Sequence, residues 1–388
     1  MAIDDFALRE LETRRAAGLH RRLRCIEGAQ DAWVTVDGRR ALLLCSNNYL
    51  GLASHPAVRE AASKAAADYG VGAGASRLIS GSMRWHRTLE EQLATFKGTE
   101  AALLFNSGYH ANVGTIAALV GQDDAVFSDE LNHASIIDGC RLSGARIRVY
   151  RHNDVDALAA LLAGTAARRR LVVTESIFSM DGDTAPLAAI GEVAERHGAM
   201  VMVDEAHAMG VIGPNGRGVV GAEGLQDRVA VQMGTLGKAV GTFGAFVAGR
   251  RAMIDLLLNT ARSFVYTTAL PPPVVAAASA ALTIISTDSE RRQRLAENAA
   301  HLYRAFGQLG LRTGRQPAHI LPVLIGDSDR AMRISERLLA EGVFVQGIRP
   351  PTVPPGTARL RVTAMSTHTE EDLAFAVEAF RRVFSEES

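Results

Sequence analysis

Between residues 101 and 250 the chain alternates two textures. Short apolar runs without polar alternation, ALLF (102–105), AVFS (125–128), IRVY (147–150), LVVTE (171–175) and MVMVDE (200–205), are separated by stretches of helical spacing such as NVGTIAALVG, VDALAALLAG and PLAAIGEVAERHG. Strands that are apolar throughout and divided by helices predict an α/β fold with a mostly parallel central sheet covered on both faces. From about residue 272 an Ala-rich helix leads into RRQRLAENAAHLYRAFGQLG. A smaller unit follows, with strands HILPVLIG, VFVQGI and ARLRVTAM and helices over 329–341 and 369–384. The expected organisation is an N-terminal arm over 1–45, a large domain over 46–285 and a C-terminal α+β domain over 286–388. The basic stretch ETRRAAGLHRRLR within the arm predicts an amphipathic helix. No internal repeat or low-complexity tract interrupts the pattern.

Composition narrows the function classes. With 388 residues, 42 basic and 42 acidic, the chain has no net field to draw it to nucleic acid or to an anionic membrane. Met1 to Cys25 carries acids and arginines but no apolar signal region, and Leu270 to Ser286 opens on prolines and is too short for a span of ~20 residues. Cys25, Cys45 and Cys140 form no CxxC pair, so neither a disulfide framework nor a zinc cluster is indicated. The expectation is a cytoplasmic protein with reduced thiols, bound neither to membrane nor to metal.

Only three of the 42 basic residues are lysine: Lys64, Lys97 and Lys238. Arginine serves wherever a generic positive charge is needed, so a lysine in an unusual setting requires a reason. A desolvated lysine can lose its proton and act as a nucleophile, which arginine cannot. Lys64 lies on the polar side of a helical pattern and Lys97 at the glycine-marked end of another; both read as solvated surface residues. Lys238, in MGTLGKAVGTFG just after the apolar run VAVQM, is surrounded by small residues instead.

Parallel sheets place ligands beyond the carboxyl ends of their strands. Four features fall there. Asn106-Ser107-Gly108-Tyr109 opens a helix and is either a phosphate site or an ordinary βα turn. His133 follows AVFS and either stacks on a flat ring or caps the next helix. Asp204 ends MVMV, where a desolvated carboxylate must face a cation: an arginine, or a protonated pyridine nitrogen with His207 beside it. Lys238 follows 34 residues later. A phosphate turn, a stacking imidazole, a strand-end acid and an isolated lysine, in that order, meet the requirements of pyridoxal 5′-phosphate.

The segments SNNYLGL (46–52), SGYHAN (107–112), SDELNHASIIDG (128–139), TESIFSMDGD (174–183), VDEAHAMGVIG (203–213), GTLGKAVG (234–241) and RPPTVPPGTARLRVT (349–363) resemble the α-oxoamine synthases, from about residue 8 to 384. The resemblance implies a fold-type I pyridoxal-phosphate-dependent transferase, aspartate aminotransferase-like, with the cofactor on the large domain. It also implies a homodimer with shared active sites and an acyltransferase that condenses an amino acid with an acyl thioester and releases carbon dioxide. RPPTVPPGTARLR favours the members that join L-alanine to pimeloyl-CoA or a pimeloyl-carrier-protein thioester in biotin biosynthesis.

Carried over to this chain, the resemblance makes Lys238 the lysine joined to the cofactor and Asp204 the partner of the pyridinium nitrogen. His207 faces the ring oxygen and His133 stacks on the ring. The backbone of Gly108 and Tyr109, with Thr267 and Thr268 from the second subunit, holds the phosphate. Ser179 and Thr235 line the cofactor pocket. Arg361 grips the amino-acid carboxylate as a bidentate fork, and Asn47, Arg21 and Thr352 are substrate-binding positions. For Arg21 the other reading is a solvated helix face, and for Thr352 a stiff surface turn. Two departures stand out: Asn48 where Asp is common, and Ala208-Met209, a pair expected to narrow the pocket. Siblings using glycine or serine with other acyl groups share this chemistry. An aminotransferase shares the cofactor set, and a silent scaffold would keep the fold without needing Lys238, Asp204 and His207.

Overall fold

The computed structural model describes residues 3–316 and 318–387; the outermost ends of the expected arm and C-terminal domain, at residues 1, 2 and 388, lie outside the described residues, as does residue 317. Helix α1 (Ile3–Ala16) opens the chain, followed by strands β1 (Ile26–Glu27), β2 (Trp33–Val36) and β3 (Arg39–Leu43), then helices α2 (Pro56–Tyr69) and α3 (Arg84–Lys97). The central sheet is built from β4 (Ala101–Phe105), β5 (Ala125–Asp129), β6 (Arg146–Tyr150), β7 (Arg170–Glu175), β8 (Met200–Asp204), β9 (Val231–Thr235) and β10 (Ala245–Gly249). Its strand order is β4-β10-β9-β8-β7-β5-β6, parallel except for β10, which runs antiparallel to both neighbours. Helix α4 (Gly108–Leu119) follows β4, and α5 (Ala134–Ser143) follows β5.

The apolar runs have no polar alternation because both faces of the sheet are buried. On β7, Leu171 and Val173 pack into one apolar cluster with Ile116 of α4 and Ile136 of α5, whereas Val172 between them packs into the other with Phe127, Val203 and Phe246. Burial of each such side chain contributes ~1.5–3 kcal/mol before the entropy of ordering is counted.

The C-terminal strands β11 (Ile320–Gly326), β12 (Val343–Phe344), β13 (Gln346–Ile348) and β14 (Ala358–Thr363) divide between two sheets. β11, β14 and β13 form an antiparallel sheet with β14 in the middle, while β12 pairs in parallel with β3. The chain's two ends are thus joined in one small sheet, β1-β2-β3-β12. The expected helices over 329–341 and 369–384 are observed at Ser328–Ala340 and Glu370–Ser385. No helix among the described residues is long and apolar enough to cross a membrane.

Two expectations need correction. The stretch ETRRAAGLHRRLR is not one amphipathic helix. α1 starts earlier and ends at Ala16, Gly18 takes a left-handed conformation (φ 66°), and α1 buries none of its side chains from Asp4 onward. Lys97 is not solvated either. It is 1% exposed, and its Nζ pairs with the fully buried Glu205 and donates to the Arg217 carbonyl at 2.5 Å. The end of α3 abuts the loop after β8, so the glycine that marks the helix end also marks a helix end turned inward. Glu205 further accepts from the Val220 amide at 3.0 Å. Lys64, by contrast, is exposed as expected.

Removing one partner of a buried ion pair leaves the other charge stranded. Lys97→Met therefore lowers stability in a urea titration by ~3–5 kcal/mol, whereas Lys64→Met stays within ~0.5 kcal/mol of the parent.

Candidate active site

The carboxyl ends of β7, β8 and β9 bring the reactive groups together. Asp204 is the last residue of β8 and lies in register with Glu175, the last residue of β7. Lys238 sits three residues past the end of β9 on a loop that returns to β10. That loop approaches SNNYLGL so closely that a Cβ on Gly241 (φ 72°) would lie 2.3 Å from the Ala53 amide nitrogen. Only glycine meets both demands there.

A hydrogen-bonded relay runs outward from Lys238. Its Nζ lies 2.7 Å from His207 Nε2, and His207 Nδ1 lies 2.8 Å from the Tyr49 hydroxyl. Tyr49 donates to Asn47 Oδ1 at 2.9 Å, which also accepts from Arg361 Nη1 at 3.2 Å. Arg361 Nε donates to the Ser179 carbonyl at 2.6 Å. The single hydroxyl proton of Tyr49 is committed to Asn47, so His207 donates from Nδ1 and accepts from Lys238 at Nε2. Burial, with the cationic Lys238 and Arg361 close by, holds His207 far below its ordinary pKa and keeps it neutral. Burial likewise lowers Lys238 from 10.5 to about 8, with Arg361 adding to it and Asp204 and Glu175 opposing.

A second relay aims the acid. Asn112 on α4 spends both amide protons, one on Asp204 Oδ2 at 2.8 Å and one on Ser135 Oγ at 2.9 Å. The Ala206 amide donates to Asp204 Oδ1 at 2.8 Å. Ser135 Oγ, already accepting, donates to His133 Nδ1 at 2.8 Å, and that same nitrogen accepts from the Ser135 amide at 3.2 Å. His133 therefore caps α5 through Nδ1 and carries its proton on Nε2. Desolvation also lowers its pKa, although the residue as a whole remains exposed. Among the described residues no arginine or lysine makes an ion pair with Asp204, so the arginine reading of its partner does not hold.

Ser107 caps α4 by accepting from the His110 amide at 3.2 Å. The amides of Gly108 and Tyr109 stand at the positive end of that helix, where first-turn N–H groups lack intrahelical partners. The Tyr109 hydroxyl itself points elsewhere, donating to Asp138 at 2.8 Å. Thr235 Oγ1 accepts from the Gly237 amide at 3.2 Å and shapes the start of the Lys238 loop. Asn106, in the turn before α4, donates to Thr267 Oγ1 at 2.9 Å and to the Thr268 carbonyl at 2.8 Å.

Arg21 and Thr352 are not part of the Lys238 cluster. They line a separate cleft of about 720 Å³ with Arg14, Arg22, Arg24 and Arg349, and none of the residues around Lys238 borders it. The two departures are structural. Asn48 donates to the Gln30 carbonyl at 3.1 Å, which a carboxylate cannot do, and accepts from the Ala53 amide at 3.1 Å. Ala208 and Met209 are buried in the core, with Met209 beneath Gly234, so they do not narrow a cleft.

Sequence reasoning passed over Glu175 and Tyr49. Glu175 ends an apolar run as Asp204 does, and the same strand-end rule would have found it. It accepts from the His133 amide at 2.7 Å, and burial beside Asp204 pushes its carboxyl up to about 8. Tyr49 lies inside SNNYLGL, but nothing in the sequence marks its hydroxyl as a junction. Among the described residues no group of three or more His, Cys, Asp or Glu side chains is arranged to hold a metal ion.

The sheet with its strand-end acid, lysine and helix N-terminus accords with the matching family model: the chain belongs to the class I and II aminotransferase family, over residues 39–380. It is 53% identical over 380 residues to the 8-amino-7-oxononanoate synthase of Geobacter sulfurreducens, with 97% of each chain covered. Among solved structures, serine palmitoyltransferase from S. paucimobilis with PLP and myriocin bound superposes with a TM-score of 0.93 at 35% identity, covering 98% of this chain and 97% of that one. 8-Amino-7-oxononanoate synthase from Francisella tularensis gives a TM-score of 0.78 at 28% identity, covering 89% of this chain and 98% of that one.

With its pKa near 8, Lys238 is largely unprotonated two units below the point where an ordinary lysine would be. In the protein stripped of any bound aldehyde, the rate at which a small aldehyde plus borohydride modifies Lys238 rises through pH 8 and levels off before pH 10. Peptide mass mapping follows it, with exposed Lys64 as the internal reference.

Proposed function

We propose that this protein joins L-alanine to a pimeloyl thioester, releasing carbon dioxide and the free thiol and forming 8-amino-7-oxononanoate, with pyridoxal 5′-phosphate as cofactor. The observation that carries the reading is Asp204, a buried carboxylate aimed by two donors and, among the described residues, in no ion pair, with a half-buried lysine of lowered pKa nearby. A protonated pyridine nitrogen is the cation this site lacks, and Lys238 is the amine its aldehyde requires. The residues fit the group. When bound, pyridoxal phosphate supplies a protonated ring that accepts the electron pair left when a bond to the substrate Cα breaks.

The roles of the chain's own residues follow from the relays. Asp204 holds the ring-nitrogen proton, and Asn112 and the Ala206 amide keep its oxygens pointed there. His207 and His133, both neutral, offer hydrogen bonding and a ring face without adding positive charge. The amides of Gly108 and Tyr109 would receive the phosphate together with the partner subunit's Thr267 and the partner subunit's Thr268, and Thr235 would line the cofactor pocket. Ser179 lines the pocket. Arg361 receives the alanine carboxylate in its guanidinium fork, with Asn47 beside it. Lys238 would be the amine joined to the cofactor's aldehyde and, when free, the base that takes and returns a proton at Nζ; an amine whose pKa is lowered to about 8 suits both transfers. Arg21 and Thr352, on the basic cleft, would bind the part of the thioester substrate remote from its reacting carbonyl. The named relatives support the alanine and pimeloyl substrates, as does the RPPTVPPGTARLR segment.

The homodimer belongs to the same proposal. Val71, Ile79, Phe243 and Tyr266 are exposed large apolar side chains that a second copy would cover. The cytoplasm does too, supported by three unpaired cysteines.

The test is thiol release from a panel of acyl thioesters against alanine, glycine and serine. Turnover confined to alanine with a pimeloyl thioester is expected; preference for glycine or serine with another acyl group overturns the substrate assignment. Lys238→Ala lowers kcat by at least ~10²–10⁴-fold while still retaining cofactor. Arg361→Lys, which loses the fork, raises KM for alanine more than it lowers kcat.

A further inference from the structure

His152 lies outside both relays, yet each of its ring nitrogens meets a carboxylate. Nδ1 is 3.0 Å from Asp129 Oδ1 and Nε2 is 2.7 Å from Asp183 Oδ2. A neutral imidazole can donate from only one nitrogen, so satisfying both carboxylates requires the imidazolium. Burial opposes the charge, but the hydrogen bonds and charges of Asp129 and Asp183 outweigh it and raise His152 to about 10. Asn153, held at φ 56°, reinforces the junction by donating its amide to Asp129 Oδ2 at 2.9 Å and its side-chain NH₂ to Asp183 Oδ2 at 3.0 Å.

Asp129 is the end of β5 and fully buried, a fixed point. Asp183 closes the 176–185 loop, whose turn is tied by the Phe178 amide to the Asp183 carbonyl at 3.0 Å and by Gly182 to the Phe178 carbonyl at 2.8 Å. The Phe178 ring stands edge-on to His152, with centroids 4.3 Å apart. Ser179, the next residue, supplies the carbonyl that receives Arg361 Nε. On the far side, Arg359 pairs with Asp181 and donates to the Met180 carbonyl at 3.3 Å. The loop is thus held between a histidine rooted in the central sheet and two arginines of β14.

We infer that His152 is a positioning residue for amino-acid binding: clamped between Asp129 and Asp183, it fixes the 176–185 loop, whose Ser179 carbonyl orients the guanidinium of Arg361. The inference rests on the reading that Arg361 binds the substrate carboxylate. His152 touches no reacting atom, and its effect passes through the loop. A bidentate fork tolerates little misorientation, so displacement of the Ser179 carbonyl weakens carboxylate binding before it disturbs the Lys238 relay.

The experiment compares holoenzyme of His152→Gln and Asp183→Asn, each normalised to cofactor content by absorbance. Glutamine carries both its donor protons on one nitrogen and an acceptor oxygen on the other terminus, so it cannot present a donor at both ring-nitrogen positions; His152→Gln raises KM for alanine by about tenfold, with kcat within about threefold of the parent and an unchanged cofactor spectrum. Asp183→Asn, which keeps an acceptor for Nε2, moves KM the same way by less. In an Arg361→Lys background His152→Gln adds no further increase, because the group it orients is gone. Unchanged KM in either folded holoenzyme, a loss borne by kcat and cofactor content instead, full additivity with Arg361→Lys, or failure of both variants to fold would each overturn the inference. If the parent enzyme turns over no alanine at all, the reading of Arg361 fails first.

Discussion

A carboxylate buried at the end of an apolar strand costs several kcal/mol unless something positive faces it, and Asp204 stands in that condition with Asn112 and a backbone amide as its hydrogen-bond partners. The rest of the site is arranged around this debt. The sheet places Asp204 at a strand end, α4 delivers Asn112 to aim it, and the loop after β9 brings a lysine whose own burial lowers its pKa. In the function we propose, a cationic ring nitrogen would satisfy the acid and, by remaining protonated, supply the sink that carbanion chemistry needs.

Directionality in the two hydrogen-bond relays has a chemical consequence. Asn112 has two protons to give and spends them on Asp204 and Ser135, which leaves Ser135 as the donor to His133. Tyr49 has one and spends it on Asn47, which makes His207 the acceptor of Lys238. Both histidines are thereby neutral with a defined tautomer, and the positive charge in the pocket is confined to Lys238 and Arg361. The Lys97–Glu205 pair plays a different part on the reverse side. Glu205 adjoins Asp204 but serves the end of α3, so two consecutive acids have opposite duties.

Much of the site was legible along the chain. The unalternating apolar runs gave the parallel sheet, and the rule that ligands sit beyond strand ends singled out Asp204 and the turn at Gly108. The scarcity of lysine drew notice to Lys238. Glu175 was legible by the same rule and was passed over. Lys97 was misread because its glycine boundary says where a helix stops but not whether that end meets solvent or a buried acid. The arm was misread in a similar way: its charge pattern is helical, but the helix stops at Ala16 before Gly18 turns left-handed.

The sequence alone determined the strand-helix alternation, the reactive residues and the chemistry they suit, because those depend on local periodicity and side-chain type. Tertiary structure decided which protons point where, that β12 joins the N-terminal strands, that Arg361 reaches the relay from β14, and that Arg21 and Thr352 open on a separate cleft. These are contacts between residues up to hundreds of positions apart. No local propensity encodes them; they arise only when two packed faces meet and each buried donor must find an acceptor.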